Sequence, residues 1–185
     1  MRRLPISPLS NTRIVVRLGW LGLLLLGGCG TSSGAVRIDV LAYLERAKTW
    51  APIEAETAAT VDRIFRTQFV DEAEVGRQIA DSRPRVERHL AQVREYEPRS
   101  GEVERIHREY VLAWDRLLSG YDAIEGGFAS GDYTKLASGR EGLEAWRGGI
   151  VWVADELRQL AQRLDVDPAT GTVSRAVSPR LPGPS

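Results

Sequence analysis

The sequence predicts an all-α fold, an antiparallel up-down four-helix bundle with a disordered C-terminal tail. From Val36 onward, apolar residues recur at helical spacing, without the sustained alternation that is typical of strands. Breaks rich in Gly, Pro, Ser and Asp divide this region into four segments of about 25 to 33 residues, and short breaks place consecutive helices antiparallel. A length of 185 residues, 43% of them hydrophobic and 27% charged, suits a single domain.

The first two predicted helices are separated by a start signal at Asp71. Pro52 is expected to kink or divide the first helix, and Pro84 is expected to bend the second. Asp71 and Glu74 have the D-x-x-E spacing of a helix start. The first helix is expected to face inward with Val40, Leu44, Ala47, Ala51, Ala55, Ala58, Val61 and Phe65. The second is expected to face inward with Val75, Ile79, Val86, Leu90 and Val93.

The third and fourth predicted helices carry the most regular apolar rows. A break at 98–101 precedes the third helix, and Ser130, Gly131 and Asp132 end it and cap the fourth. The third helix has two rows with seven-residue spacing: Val103, Tyr110, Leu117 and Ile124, and His107, Trp114, Tyr121 and Phe128. The fourth has heptad positions Leu136, Leu143, Ile150, Leu157 and Leu164, and three residues later Trp146, Val153 and Leu160. Close backbone approach or local bends are indicated by Gly120, Gly126, Gly127, Gly139, Gly142, Gly148 and Gly149.

The N-terminal segment differs from the rest of the chain. Four arginines lie within the first 28 residues, no acidic residue precedes Asp39, and the run from Leu18 to Leu26 is uncharged. This layout is typical of a secretory signal, which we assign to residues 1–28, and the run is shorter than the roughly 20 residues that span a bilayer. Residues 29–185 then hold 21 basic and 25 acidic side chains, a formal charge of −4. A mildly acidic chain does not favour nucleic acid as a partner.

Cys29 is the only cysteine, so it cannot form an internal disulfide. The sequence Leu26-Gly27-Gly28-Cys29 resembles the lipobox of bacterial lipoproteins, in which Leu stands three residues before the cysteine and small residues lie between. The resemblance implies cleavage before Cys29, a thioether-linked diacylglyceryl group on its sulfur, and an acyl chain such as palmitate on the new N-terminus. Several acyl chains together anchor a protein lastingly to a membrane. The alternatives are an ordinary secretory signal that is cut elsewhere, or an uncleaved anchor with an incidental cysteine.

The lipoprotein resemblance also sets the expected domain organisation and location. Residues 29–35 become the lipidated cysteine and a flexible tether, 36–167 the helical bundle, and 168–185 the disordered tail. Gly30 is not the Asp that favours inner-membrane retention in similar Gram-negative lipoproteins. The resemblance thus implies the outer membrane, facing the periplasm, in a Gram-negative cell, and otherwise the outer face of the cell membrane.

Two histidines form the strongest candidate for chemistry. His89 and His107 lie nine residues on either side of Pro98, so a hairpin there places them at one level on facing helices, about 13 Å from the turn. Glu104 precedes His107 with E-x-x-H spacing, but a second such motif is absent, so a di-iron site is not predicted. His89, His107 and Glu104 are instead candidate ligands of a mononuclear metal site. The alternative is that both histidines are core residues hydrogen-bonded to a Glu, a Tyr or a backbone carbonyl.

A second candidate surface lies at one turn of the fourth helix. Val151 and Trp152 point away from the inward heptad, which makes this turn apolar nearly all round. Either the first helix or the tail covers these two side chains, or they are exposed and form a partner patch.

Two functional hypotheses follow from the sequence. The first is a lipid-anchored helical bundle of the cell envelope that serves as a non-enzymatic binding or structural module, with the membrane and an envelope protein as partners and no nucleic acid. It requires no catalytic residue, and no cofactor beyond the acyl groups on Cys29. The second is a bundle that binds a metal or a small ligand through His89, His107 and Glu104.

Overall fold

The computed structural model describes residues 33–167 and 172–173. The described chain forms helices α1 (Ser33–Arg66), α2 (Glu72–Arg94), α3 (Gly101–Ser130) and α4 (Tyr133–Arg163), then the two-residue strands β1 (Val166–Asp167) and β2 (Thr172–Val173). The prediction of an all-α fold with four helices is confirmed.

The two ends of the chain are described only in part. The predicted signal segment 1–28 and Cys29 lie outside the described residues. Residues 33–35 of the predicted tether belong to α1, so this helix begins three residues before Val36. Within the predicted tail 168–185, only residues 172–173 are described, and they pair antiparallel with β1. This pairing was not predicted, because a strand of two residues is too short to show a periodic pattern.

Helix α1 is continuous through Pro52 and turns a different face inward from the one predicted. Ala51 and Ala55 are exposed, whereas Trp50 and Thr57 are buried, so the predicted alanine face is wrong in the middle of the helix. Burial of the Trp50 ring removes far more apolar surface from water than burial of two alanine methyl groups. The large aromatic side chains therefore decide the rotation of α1 about its axis.

The remaining helices begin and end as the sequence indicates. The Asp71 carboxylate caps α2 by accepting a hydrogen bond from the Glu74 amide at 2.9 Å. Gly131 ends α3 with a left-handed φ of 65°, and Asp132 caps α4 by accepting from the amide of Thr134 at 2.9 Å. All predicted inward residues of α2 are buried, and those of α3 and α4 are buried or packed against the core. Helix α2 is also continuous, since Pro84 lies within it.

Asp39 joins α1 to the turn between α2 and α3. Its carboxylate is buried and accepts three hydrogen bonds: from the Arg99 amide at 2.9 Å, the Ser100 amide at 2.7 Å and the Ser100 hydroxyl at 2.7 Å. Ser100 is itself the N-cap of α3, so a residue of α1 stabilises the start of α3. This role of Asp39 was not predicted, because the partners are sixty residues apart in the sequence.

Consecutive helices pack against each other antiparallel. Between α1 and α2, Trp50 meets His89 and Glu56 meets Arg85, so residue numbers rise on one helix as they fall on the other. Between α2 and α3, Ser82 contacts Tyr121 and His89 contacts Tyr110, so the numbers again rise on one helix as they fall on the other. Between α3 and α4, Gly120 lies close to Gly142 and Gly127 lies close to Leu136, which is the same antiparallel pattern.

Helices α3 and α4 approach each other at backbone distance. A Cβ atom added to Gly142 would lie 2.8 Å from the Cα of Gly120 and 3.0 Å from the carbonyl oxygen of Arg116. A Cβ atom added to Gly139 would lie 2.9 Å from the carbonyl oxygen of Gly120. Close approach was one of the two alternatives predicted for these glycines, and Gly148, by contrast, faces open space.

Substitution of Gly142 by Ala is expected to destabilise the protein, because backbone atoms of α3 occupy the position of the new methyl group. We expect Gly142→Ala to lower the free energy of unfolding by about 1 to 3 kcal/mol. The matched control, Gly148→Ala, places a methyl group in open space on the same helix and should raise stability by about 1 kcal/mol. Urea denaturation of the three proteins measures both changes, and equal effects of the two substitutions would contradict close backbone packing.

Candidate functional site

Five rings from α1, α2, α3 and the turn between α2 and α3 surround Trp50 in one half of the core. We call these residues the ring cluster: Tyr43, Trp50, His89, Tyr96, His107 and Tyr110. The Trp50 ring stacks on Tyr110 with centroids 5.2 Å apart, and on His107 with centroids 6.2 Å apart. The Trp50 and His89 rings are nearly perpendicular, with centroids 6.1 Å apart. The two histidines thus lie near one level of the core, as predicted, and each contacts the same indole.

A chain of polar groups crosses the ring cluster at Tyr110. The Tyr110 hydroxyl donates to the Glu54 carboxylate at 2.5 Å, and its oxygen lies 3.1 Å from Nε2 of His89. Because the hydroxyl proton is donated to Glu54, the Tyr110 oxygen accepts a hydrogen bond from the Nε2–H of His89. Three helices are joined by these two hydrogen bonds.

The ionisable groups of this chain have shifted pKa values. Burial lowers the pKa of His89 to about 4, so its imidazole is neutral at pH 7. Burial raises the pKa of Glu54, although the hydrogen bond from Tyr110 acts in the opposite direction. Burial and the nearby Glu54 carboxylate raise the pKa of Tyr110, which therefore keeps its proton. At neutral pH, His89 and Tyr110 are therefore both uncharged and are joined by a hydrogen bond between neutral groups.

His107 is held by two neighbours in the core. Its Nδ1 lies 3.4 Å from the Tyr43 hydroxyl. Burial lowers the pKa of His107, and a hydrogen bond to the backbone of Val93 acts against this shift. The alternative given by the sequence, a core histidine bonded to a Tyr and to backbone, describes this environment.

Glu104 does not join the two histidines. Its carboxylate is exposed and lies 3.9 Å from the Arg108 guanidinium, whereas both imidazoles are buried. Within residues 33–167 and 172–173, no three His, Cys, Asp or Glu side chains are grouped so that they could hold a metal ion. A metal site formed by His89, His107 and Glu104 stays a prediction, and the carboxylate that the structure links to His89, through the Tyr110 hydroxyl, is that of Glu54.

Glu54 was missed by the sequence analysis, although a signal for it existed. Tyr43, Trp50 and Glu54 follow one another at intervals of seven and four residues, which places them on one face of a helix. An acidic residue in line with two large aromatics indicates a buried polar partner. The predicted inward face of α1 was instead the one that carries Ala51 and Ala55.

A groove opens beside the ring cluster, between α1 and α2. It has a volume of about 720 Å³ and is lined by His89 and Trp50 at its base and by Tyr96 at one end. Arg46, Arg85 and Arg88 also line it. A volume of this size is in the range of cavities that take small molecules. The groove is therefore the candidate binding site.

The predicted partner patch on α4 is exposed. Val151 is 62% exposed and Trp152 is 36% exposed, so α1 does not cover them. The guanidinium of Arg105 lies over the Trp152 ring, 5.3 Å from its centroid. This cation–π contact covers part of the indole from α3 and leaves the Val151 side chain to solvent.

No helix of the described part of the chain has the length and apolar character needed to cross a membrane. No family model, curated protein or solved structure matches the chain.

Removal of the Tyr110 hydroxyl is expected to weaken the fold, because it leaves Glu54 and His89 without their shared partner in a largely buried position. We expect Tyr110→Phe to lower the free energy of unfolding by about 1 to 3 kcal/mol. Tyr133 is 84% exposed, so the control Tyr133→Phe should change it by less than about 0.5 kcal/mol. Urea denaturation at pH 7 distinguishes the two, and an unchanged Tyr110→Phe protein would rule out a stabilising hydrogen-bond chain.

The low pKa of His89 predicts a loss of stability in acid. Its pKa is about 4 in the folded protein, against 6.5 for an unperturbed histidine, so the unfolded state takes up the proton first as the pH falls. His89 should reduce the free energy of unfolding by up to about 3 kcal/mol between pH 6.5 and pH 4, and have no such effect above pH 7. Glu54, with its raised pKa, contributes with the opposite sign. The difference between the wild type and His89→Gln, measured from pH 7.5 to pH 4, isolates the histidine, and parallel curves would refute the shifted pKa.

Proposed function

We propose that the protein is a lipid-anchored helical module of the bacterial cell envelope that binds a ligand or partner and catalyses no reaction. The observation that carries the binding half of this proposal is the groove between α1 and α2, where charged side chains surround the aromatic base formed by Trp50 and His89. The residues that carry the anchoring half are Leu26, Gly27, Gly28 and Cys29.

The proposed anchor sits close to the folded domain in the sequence. Helix α1 begins at Ser33, four residues after Cys29. Four residues span at most about 14 Å when fully extended. With acyl chains on Cys29, the start of α1 lies next to the membrane surface and the domain is confined to the layer above it.

The proposed location follows from the type of anchor. A protein exported and acylated at Cys29 lies outside the cytoplasm, on the periplasmic face of the outer membrane in a Gram-negative cell or on the outer face of the cell membrane otherwise. An envelope protein is the proposed partner of the exposed surface around Val151 and Trp152, since exposed apolar side chains lose water on contact with another protein.

A second candidate function is the binding of a small ligand in the groove. One observation favours it: His89, which the sequence analysis singled out as a ligand-binding residue, lines the groove. His89 lies at the bottom of the groove, since its imidazole is buried and its Nε2 is hydrogen-bonded to Tyr110. The charged residues at the rim make the first contact with a ligand.

Metabolic labelling of the full chain with a palmitate analogue tests the anchor. We expect the wild-type protein to be labelled and its mature N-terminal peptide to begin at Cys29 with the mass of the added acyl groups. Cys29→Ala removes the only thiol and should abolish the label, whereas the neighbouring Ser32→Ala should retain it. A wild-type protein whose N-terminus lies elsewhere, or whose Cys29 is unmodified, would contradict the proposed anchor.

A further inference from the structure

Two arginines of α2 line the groove, and they have one acidic partner between them among the described residues. Arg85 and Arg88 are three residues apart, which places their side chains next to each other on one face of the helix. Arg85 has Glu56 at 3.3 Å, and Arg88 has no ion-pair partner among the described residues. Like charges at this spacing destabilise a helix by a few tenths of a kcal/mol. An anion placed between the two guanidinium groups would relieve that repulsion.

The ion pair of Arg85 with Glu56 does not block the site. Both side chains are about half exposed, at 44% and 58%. Exposed ion pairs of this kind contribute little to stability, so a ligand anion competes with the Glu56 carboxylate at small cost. The guanidinium group has a planar set of donors that matches the two oxygens of a carboxylate or a phosphate.

Other side chains of the groove fit the body of a small anion. Gln92 lies one turn beyond Arg88 on α2 and provides an amide. Pro52 and Ile53 of α1 form an apolar wall next to the arginines, and Trp50 and His89 close the base. Ligand sites commonly combine such apolar walls with a few charged groups that fix the orientation.

The far end of the groove has the opposite charge. Glu95 and Glu97 line it there, and neither carboxylate has an ion-pair partner in the described part of the chain. Arg46 is drawn to the Tyr96 ring, with its guanidinium carbon 6.0 Å from the ring centroid. An anionic group is therefore repelled from the Glu95 end and attracted to the Arg88 end, which gives the ligand one orientation.

We propose that the groove between α1 and α2 binds a small organic anion, whose carboxylate or phosphate group lies between Arg85 and Arg88 and whose apolar body contacts Pro52 and Ile53. This inference rests on the proposed function and names the chemical class of its ligand. The phosphate can belong to a soluble molecule or to a lipid headgroup, since both present the same oxygens to the guanidinium groups.

Calorimetric titration of the full chain, purified in a neutral detergent, with phenyl phosphate and with benzoate tests the proposal. We expect at least one of these probes to bind, and Arg85→Gln/Arg88→Gln to weaken its binding about tenfold or more. The control Arg77→Gln/Arg94→Gln removes two arginines of the same helix that lie outside the groove and pair with Glu74 and Asp115. It changes the net charge by the same amount and should leave the affinity unchanged.

Three results would overturn the proposal: no binding of either probe, equal affinity for the wild type and Arg85→Gln/Arg88→Gln, or equal weakening by the control. All four positions are partly or largely exposed, so the variants should keep the helical circular dichroism and the melting temperature of the wild type. The conservative variant Arg85→Lys/Arg88→Lys keeps both charges but loses the planar donors. It should bind more weakly than the wild type and more tightly than the glutamine variant.

A second arm of the experiment distinguishes the source of the anion. The full chain is placed in phosphatidylcholine vesicles with and without phosphatidylglycerol, and the titration with the probe is repeated. Competition by phosphatidylglycerol supports the site and identifies a lipid headgroup, whereas unchanged affinity supports the site and identifies a soluble anion. The labelling of Cys29 is independent of these titrations, so loss of the anion site leaves the anchor proposal intact, and an unacylated Cys29 leaves the anion site intact.

Discussion

The backbone contact of α3 with α4 is the constraint on which the rest of the architecture depends. Gly120, Gly139 and Gly142 let the two helix axes approach until backbone atoms touch, so little side-chain volume lies between them. Further along the same helix pair, Trp114 of α3 contacts Trp146 of α4 with ring centroids 5.6 Å apart, and the ring cluster lies where Tyr110 of α3 meets α1 and α2. The groove lies elsewhere in the bundle, between α1 and α2.

Hydrogen bonds between helices fix the position of α1 in the bundle. At one end, Asp39 holds the turn before α3 with three hydrogen bonds, and further along, Glu54 accepts from Tyr110. These acceptors lie fifteen residues apart on the same helix, about 22 Å along its axis. Buried polar pairs of this kind specify one register, since any rotation of α1 leaves a carboxylate without its donors. The aromatic contacts supply apolar burial, and the carboxylates determine the orientation.

The fold was predictable from the sequence wherever apolar periodicity and caps agreed. The caps at Asp71 and Asp132 and the rows of α3 were predicted because each depends on residues within two turns of one another. The inward face of α1 was predicted wrongly in its middle, because alanine and tryptophan both count as apolar and only packing decides between them. The cap by Asp39 was not predictable, since its partners come from a distant turn of the chain.

In the candidate site, residue spacing predicted the level of the histidines but not the direction in which the neighbouring carboxylates point. The level of His89 and His107 follows from counting residues on either side of a turn, and the structure brings both against Trp50. Spacing says nothing about direction, and Glu104 satisfies the E-x-x-H pattern while its side chain points to solvent. Glu54 lies fifty-three residues before His107 and reaches the cluster only because α1 packs there. The burial of Trp50 sets the rotation of α1 and with it the position from which the Glu54 carboxylate is linked to His89 through the Tyr110 hydroxyl.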